Sequence, residues 1–206
     1  MNSVDSKVVL YPVMEHFYTL QGEGSHSGKA AYFIRLGGCD VGCVWCDVKD
    51  SWDADKHPKF STEQIVNAAL AYPARIAVIT GGEPAMHDLT ELCEALHKAG
   101  FKTHIETSGA YPITGALDWV TLSPKKFKAP LEENMSLANE LKIVVFNNSD
   151  FDWAEQYAAK VSKNCKLYLQ PEWSKKEKII PEIIGYIQQH PKWQLSLQIH
   201  KYTNIP

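Results

Sequence analysis

The 206-residue chain has no uninterrupted apolar run approaching the ~20 residues that cross a bilayer. Its opening, MNSVDSKVVLYPV, lacks the basic start and the continuous apolar stretch of a secretory signal. A surplus of positive charge is missing too: 21 Lys and Arg stand against 24 Asp and Glu, for a net charge of -3. Binding a nucleic-acid backbone needs a sustained basic patch, whereas Lys125–Lys126 and Lys175–Lys176 are isolated pairs. Lys126 and the 175–176 pair read as solvated surface lysines. Low-complexity tracts, linkers and internal repeats are lacking as well. Five cysteines, an odd number with three inside eight residues, argue against a disulfide framework and for a reducing compartment. A cytoplasmic protein is expected, with neither membrane nor nucleic acid as partner.

What is present is an ordinary globular composition, 45% hydrophobic and 22% charged, in a length that suits one domain over 1–206. Short apolar runs rich in β-branched and aromatic residues recur at 31–36, 75–80, 101–107, 118–123, 141–146, 166–170 and 194–199. Helical patterns lie between several of them. Residues 61–72 open with Ser61 and Gln64 in capping-box spacing, and 88–99 end at Gly100, a suitable residue just past a helix. Residues 151–162 and 176–190 complete the set. Strands alternating with helices predict a parallel α/β sheet.

The polar motifs sit just after the apolar runs: GGCDVGC after 36, GGEP after 80, SG after 107, PKK after 123, PEW after 170 and HKY after 199. Ligand sites of parallel α/β folds gather at the carboxyl ends of the strands. Six such ends on one face predict an incomplete or trimmed (βα) barrel, because a complete one needs ~250 residues.

CDVGCVWC, residues 39–46, places Cys39, Cys43 and Cys46 at C-x3-C-x2-C. Thiolates suit zinc or iron–sulfur clusters. Structural zinc wants four protein ligands, usually as two separated pairs, and no second C-x2-C exists here. Cys93, on an amphipathic helix, and Cys165, at the start of a strand, read as core. His26 and His57 have no recognisable partner spacing. Three thiolates around a four-iron cube leave one iron open, which is what a catalytic site needs. The chemistry favours a cluster, with zinc as the alternative.

With an aromatic residue just before its last cysteine, this loop resembles that of the radical S-adenosylmethionine (SAM) enzymes, and ITGGEP at 79–84 is similar to their glycine-rich motif. Four further segments resemble the 7-carboxy-7-deazaguanine synthase family: FYTLQGEGSHSGKAAYFIRLGGC (17–39), IETSG (105–109), TLSPK (121–125) and QLSLQIHKYTNIP (194–206). The likeness runs from about Tyr11 to the last residue. It implies a lyase of the queuosine (7-deazapurine) route that converts 6-carboxy-5,6,7,8-tetrahydropterin to 7-carboxy-7-deazaguanine and releases ammonia. A deoxyadenosyl radical would abstract hydrogen at C6 before ring contraction, and SAM would be regenerated. An electron donor such as a flavodoxin or ferredoxin, and a homodimer, are implied by the likeness alone.

The resemblance also implies roles. Cys39, Cys43 and Cys46 would hold a 4Fe–4S cluster. Trp45, Cys46, Asp47, Gly82, Ser123, Pro124 and Lys125, with Gln170, would contact SAM, and Glu83 would accept from its ammonium, the competing reading being an acid in the first turn of a helix. Leu20, Gln21 and Gly22 would meet the pterin edge, with Glu23 as a possible helper or a solvated carboxylate. Arg35, a charge inside the apolar run AYFIRL, is costly unless paired. It matches the substrate carboxylate as a fork, in company with Thr80, and a salt bridge to a neighbouring acid is the competing reading. Pro206 would bind substrate through its free carboxylate, beside His200. The departure from the family is Val48, where a hydroxyl residue usually helps bind Mg2+; valine offers no oxygen, so weak magnesium dependence is expected. Two competing functions remain, a radical-enzyme activase, against which LQGEG and HKYTNIP speak, and a zinc-stabilised binding domain.

Overall fold

The computed structural model describes residues 8–206. The strands are β1 (Leu10–Leu20), β2 (Ala30–Leu36), β3 (Lys59–Ser61), β4 (Ile76–Gly81), β5 (Lys102–Thr107), β6 (Trp119–Leu122), β7 (Glu140–Val145), β8 (Lys166–Pro171) and β9 (Trp193–Leu195). They form one open sheet in the order β3-β1-β2-β4-β5-β6-β7-β8-β9. From β2 to β9 every neighbouring pair is parallel, and β1 runs antiparallel to both β2 and β3. Among the described residues the α-helices are α1 (Thr62–Leu70), α2 (Thr90–Lys98), α3 (Ser149–Ala158), α4 (Lys176–Gln189) and α5 (Ile199–Thr203).

Local chemistry sets the helix ends. Ser61 accepts from the Gln64 backbone while the Gln64 side chain accepts from Ser61 N, the reciprocal box that the spacing predicts. At the end of α2 the chain turns through Gly100 at φ +83, with Gly100 N donating to His97 O and Phe101 N to Leu96 O. That pairing is a Schellman stop, which favours a residue without Cβ.

Alternation along each strand sorts side chains onto two faces. Ile34, Leu36, Ala77, Ile79 and Ile105 pack with Leu89, Leu92 and Leu96 beneath α1 and α2. Leu141, Ile143, Val145 and Leu169 pack with Ile179 and Ile183 beneath α3 and α4. Helices therefore cover one face only, and the other lines a hollow: an incomplete barrel.

Two strand expectations change. β1 is eleven residues long and escapes the pattern of apolar runs because LYPVMEHFYTL mixes polar and apolar residues. The run at 194–199 is not one strand: β9 stops at Leu195 and α5 begins at Ile199. Ser196 N still donates to Leu169 O, but Ile199 N turns away to Gly22 O, so HKY lies on a helix and not at a strand end.

Candidate active site

The carboxyl ends of β2, β4, β5, β6 and β8 open onto a cavity of about 490 Å3. Leu20, Gln21, Gly22, Arg35, Thr80 and Pro206 all line it, and so do Trp45, Asp47, Gly82, Ser123, Lys125 and Gln170. Pro124 is buried but does not form part of the wall.

One edge of the cavity is the loop after β2. Backbone bonds from Gly38 N to Ser51 O and from Cys39 N to Trp52 O tie it down. Cys39, Cys43 and Cys46 all face the cavity and pack with Val41, Trp45, Ala110 and Tyr111. Among the described residues no three thiol, imidazole or carboxylate groups converge on a point suited to one metal ion. Three soft thiol donors on one loop fit a cluster with several metals better than a single structural zinc, which wants four protein ligands. Burial raises the Cys39 thiol and pushes Cys43 up to about 11, so binding a cluster would expel their protons.

The glycine after β4 serves this loop directly. A Cβ on Gly82 would lie 2.4 Å from Gly38 O and 2.7 Å from Cys39 Cβ, and Glu83 N donates to Gly38 O. Close backbone approach, the usual reason for such glycines, is here an approach to the cysteine loop. Glu83 departs from the expectation of a ligand for the SAM ammonium. Its buried carboxylate accepts from Ala85 N, Thr107 Oγ1, Ser108 N and Ser108 Oγ. Four donors therefore hold this carboxylate at the cavity wall, which ties the GGEP turn to the end of β5.

Arg35 is shared between the two readings. It lines the cavity, level with Thr80 on β4, and its Nε donates to Glu15 Oε1 at 2.6 Å across the β1–β2 pair. Among the described residues no other hydrogen bond engages this guanidinium, which leaves its two terminal nitrogens for a ligand. Ser123 Oγ and O accept from Lys125 Nζ at 2.5 and 2.6 Å, and burial pulls that ammonium down to about 8. Gln170 Oε1 accepts from Ser196 Oγ, which holds the β8 amide toward the cavity.

The floor holds what the sequence reading missed. Lys142 on β7 is ion-paired with Glu23 and lies 3.8 Å from Glu106 Oε2. Glu23 is thus a largely buried partner, not a solvated loop carboxylate. Burial alone would raise Glu23; the Lys142 ammonium overrides it and, with hydrogen bonds from Lys142 and Gln198, holds the carboxyl at about 2. The signal was available, since Lys142 interrupts LKIVVF as Arg35 interrupts AYFIRL.

The chain's last residues close one side. A Cβ on Gly22 would sit 2.3 Å from His200 Nδ1, so glycine is what lets α5 dock. Lys201 Nζ donates to Asp47 Oδ2 at 2.6 Å, joining α5 to the cysteine loop. Magnesium fits poorly beside it. Val48 has no side-chain oxygen, its carbonyl accepts from Ser51 N and Oγ, and Asp47 already holds an ammonium. Lys126 and Lys175 are exposed surface lysines, as expected, with Lys126 pairing with Asp150; Lys176 is half-buried and lies 4.4 Å from the Trp173 ring centre.

Comparison with known proteins agrees with this architecture. Residues 33–128 match the family described as the radical SAM superfamily. A 7-carboxy-7-deazaguanine synthase from Flavobacterium psychrophilum is 57% identical over 197 residues, covering 96% of this chain and 93% of the relative. The synthase of the same name from a Synechocystis strain is 50% identical, over 96% and 94%. The crystal structure of QueE from Escherichia coli superimposes with a TM-score of 0.84 at 36% identity, over 93% of this chain and 95% of that one.

Proposed function

The chain belongs to the 7-carboxy-7-deazaguanine synthase family of radical SAM enzymes, and from that premise we propose how its cavity divides the work of turning 6-carboxy-5,6,7,8-tetrahydropterin into 7-carboxy-7-deazaguanine. The observation that carries the proposal is that three clustered cysteines, the GGEP turn and a charged floor share one cavity. Cys39, Cys43 and Cys46 hold a 4Fe–4S cluster. When bound, the cluster and SAM supply the one-electron chemistry that removes a hydrogen atom from the substrate.

The protein's own part is binding, orientation and exclusion of water. Trp45, Asp47, Gly82, Ser123, Lys125 and Gln170 form the SAM side of the wall, with Pro124 supporting Ser123 and Lys125 from within. Leu20, Gln21 and Gly22 meet the heterocycle edge. The free nitrogens of Arg35 and the Thr80 hydroxyl take the substrate carboxylate, a match between a planar fork and two oxygens. Pro206 and α5 cover the opening. A small reductant protein of the flavodoxin or ferredoxin kind delivers the electron.

The test is anaerobic purification followed by an assay with the carboxylated pterin, SAM and a reductant. A brown protein with about four irons per chain that forms the deazaguanine is expected. Colourless zinc-loaded protein, or an iron-loaded protein inert toward the pterin, overturns the reading.

A further inference from the structure

We propose that Lys142 is a positioning residue for the substrate: its ammonium, set between Glu23 and Glu106, fixes the Leu20–Glu23 segment against the cavity floor. The proposal rests on the functional reading above for the identity of the substrate, and on geometry for everything else.

Four elements meet at this ammonium. Glu23, next to Gly22, binds it directly, and Glu106 on β5 stands 3.8 Å away. Gln21 Nε2 donates to Glu106 Oε1 at 2.8 Å, and Glu23 N donates back to Gln21 Oε1 at 3.0 Å. Gln198, just before α5, donates to the other oxygen of Glu23 at 3.0 Å. Lys142 therefore braces the Leu20–Gln21–Gly22 backbone to β5 and β7, and the α5 segment to the same carboxylate. The Lys142 and Glu23 side chains are 6% and 13% exposed, so neither is a solvated surface group.

The arrangement is expensive for a fold that needs only stability. A buried ion pair roughly breaks even against well-packed apolar residues, and removing one partner leaves an uncompensated charge. The charged and titratable groups facing the pair are Glu106 from β5, Glu140 from β7, His200 from α5 and Lys125 after β6. Burial pulls Lys142 down, but Glu106 and Glu23 override it and hold the group charged well above the ordinary lysine range. An apolar residue at this point would leave three carboxylates without their cation and the loop without its anchor.

The sign of the pH effect follows. Glu23 has a depressed pKa, so its contribution is full above the usual glutamate value near 4.5 and is lost as pH falls toward about 2. Without Lys142, only the Gln198 hydrogen bond and His200 oppose burial, and the carboxyl takes up its proton at higher pH.

The experiment compares wild type with Lys142→Met and Lys142→Arg. In Lys142→Met the pterin KM should rise about tenfold with a smaller change in kcat. The acid limb of kcat/KM should move up by about one pH unit or more, while iron content and SAM binding stay at wild-type levels. Lys142→Arg should recover most of the KM and the acid limb. Wild-type KM and acid limb in Lys142→Met overturn the inference. Should Lys142→Met fail to fold, Lys142→Met/Glu23→Gln relieves the orphaned charge; a raised KM there supports the inference and a wild-type KM overturns it. If wild type does not convert the pterin, the functional reading fails on its own. Loop positioning is then read from hydrogen exchange at 20–24: faster exchange in Lys142→Met by about tenfold supports it, and unchanged exchange sinks it.

Discussion

The two faces of the parallel sheet use the same strands for opposite ends. On the helix-covered face, Ile34, Ile79, Ile105, Leu141, Ile143 and Leu169 are all at 0% exposure. On the hollow face, one residue along the same strands, stand Arg35, Thr80, Glu106, Lys142 and Gln170. Each buried aliphatic side chain on the first face contributes about 1.5–3 kcal/mol. The second face contributes little net stability, since its charges must first offset their own desolvation. The comparison teaches that the fold is held from outside the hollow, which frees the inner face to carry polar groups that would otherwise be faults.

The hardest way to break this comparison is at the rim of the hollow. Cys43→Ser should remove the bound iron and abolish turnover, while circular dichroism keeps its α/β signature because the outer face is untouched. An active, iron-free Cys43→Ser protein would sink the whole account of the cavity. Next comes Ile143→Ala, one step along β7 from Lys142. It should cost ~2–5 kcal/mol by denaturant unfolding and leave the pterin KM unchanged. A raised KM without lost stability at that position would show that the two faces are not separate.

The outer face was the legible one. Runs such as RIAVIT and LKIVVF, the Ser61–Gln64 box and Gly100 predict β4, β7, α1 and the end of α2 because apolar periodicity and caps are local signals. The inner face was legible where it carried a motif (the three cysteines, GGEP, SPK) and at Arg35, whose charge stands out in an apolar run. Lys142, Glu106 and Gln198 were not, because a lone polar residue in an apolar strand says that a partner is needed without saying which one. Glu23 was underestimated for the same reason, since its partner lies 119 residues away. β1 was missed because polar residues interrupt it on both sides, Glu15 pairing with Arg35 and His16 with the Tyr32 hydroxyl.

Appending residues to the chain sharpens the comparison at the mouth. Pro206 lines the cavity, α5 rests on Gly22 through His200, and Lys201 reaches Asp47. A short tag after Pro206 must thread past these contacts or displace α5. Turnover should fall by about tenfold or more, because misplacing groups by about an ångström has effects of that order. Stability should hold, as α5 contributes nothing to the two large clusters of the outer face. A tagged protein with full activity would place α5 among the merely structural elements.

The smallest effect is expected from removing magnesium, and it follows from the residues that stand where a hard cation would bind. Such an ion needs oxygen ligands in a near-ideal octahedron. At 47–48 the chain offers a valine side chain, a carbonyl already accepting two hydrogen bonds from Ser51, and an aspartate whose carboxylate holds Lys201. The Lys201 ammonium lies 2.6 Å from Asp47 Oδ2 and itself lines the cavity, so positive charge is present there without a metal. Chelating divalent ions should therefore change kcat/KM by less than about twofold, a difference of under half a kcal/mol. Val48→Thr returns an oxygen to the site, and in that variant added magnesium should begin to matter, most clearly when Lys201→Met removes the competing cation. A wild-type protein that loses its activity on chelation and regains it with magnesium would mean that ligands outside this segment build the ion's site, and the inner face would then be more capable than its own oxygens suggest.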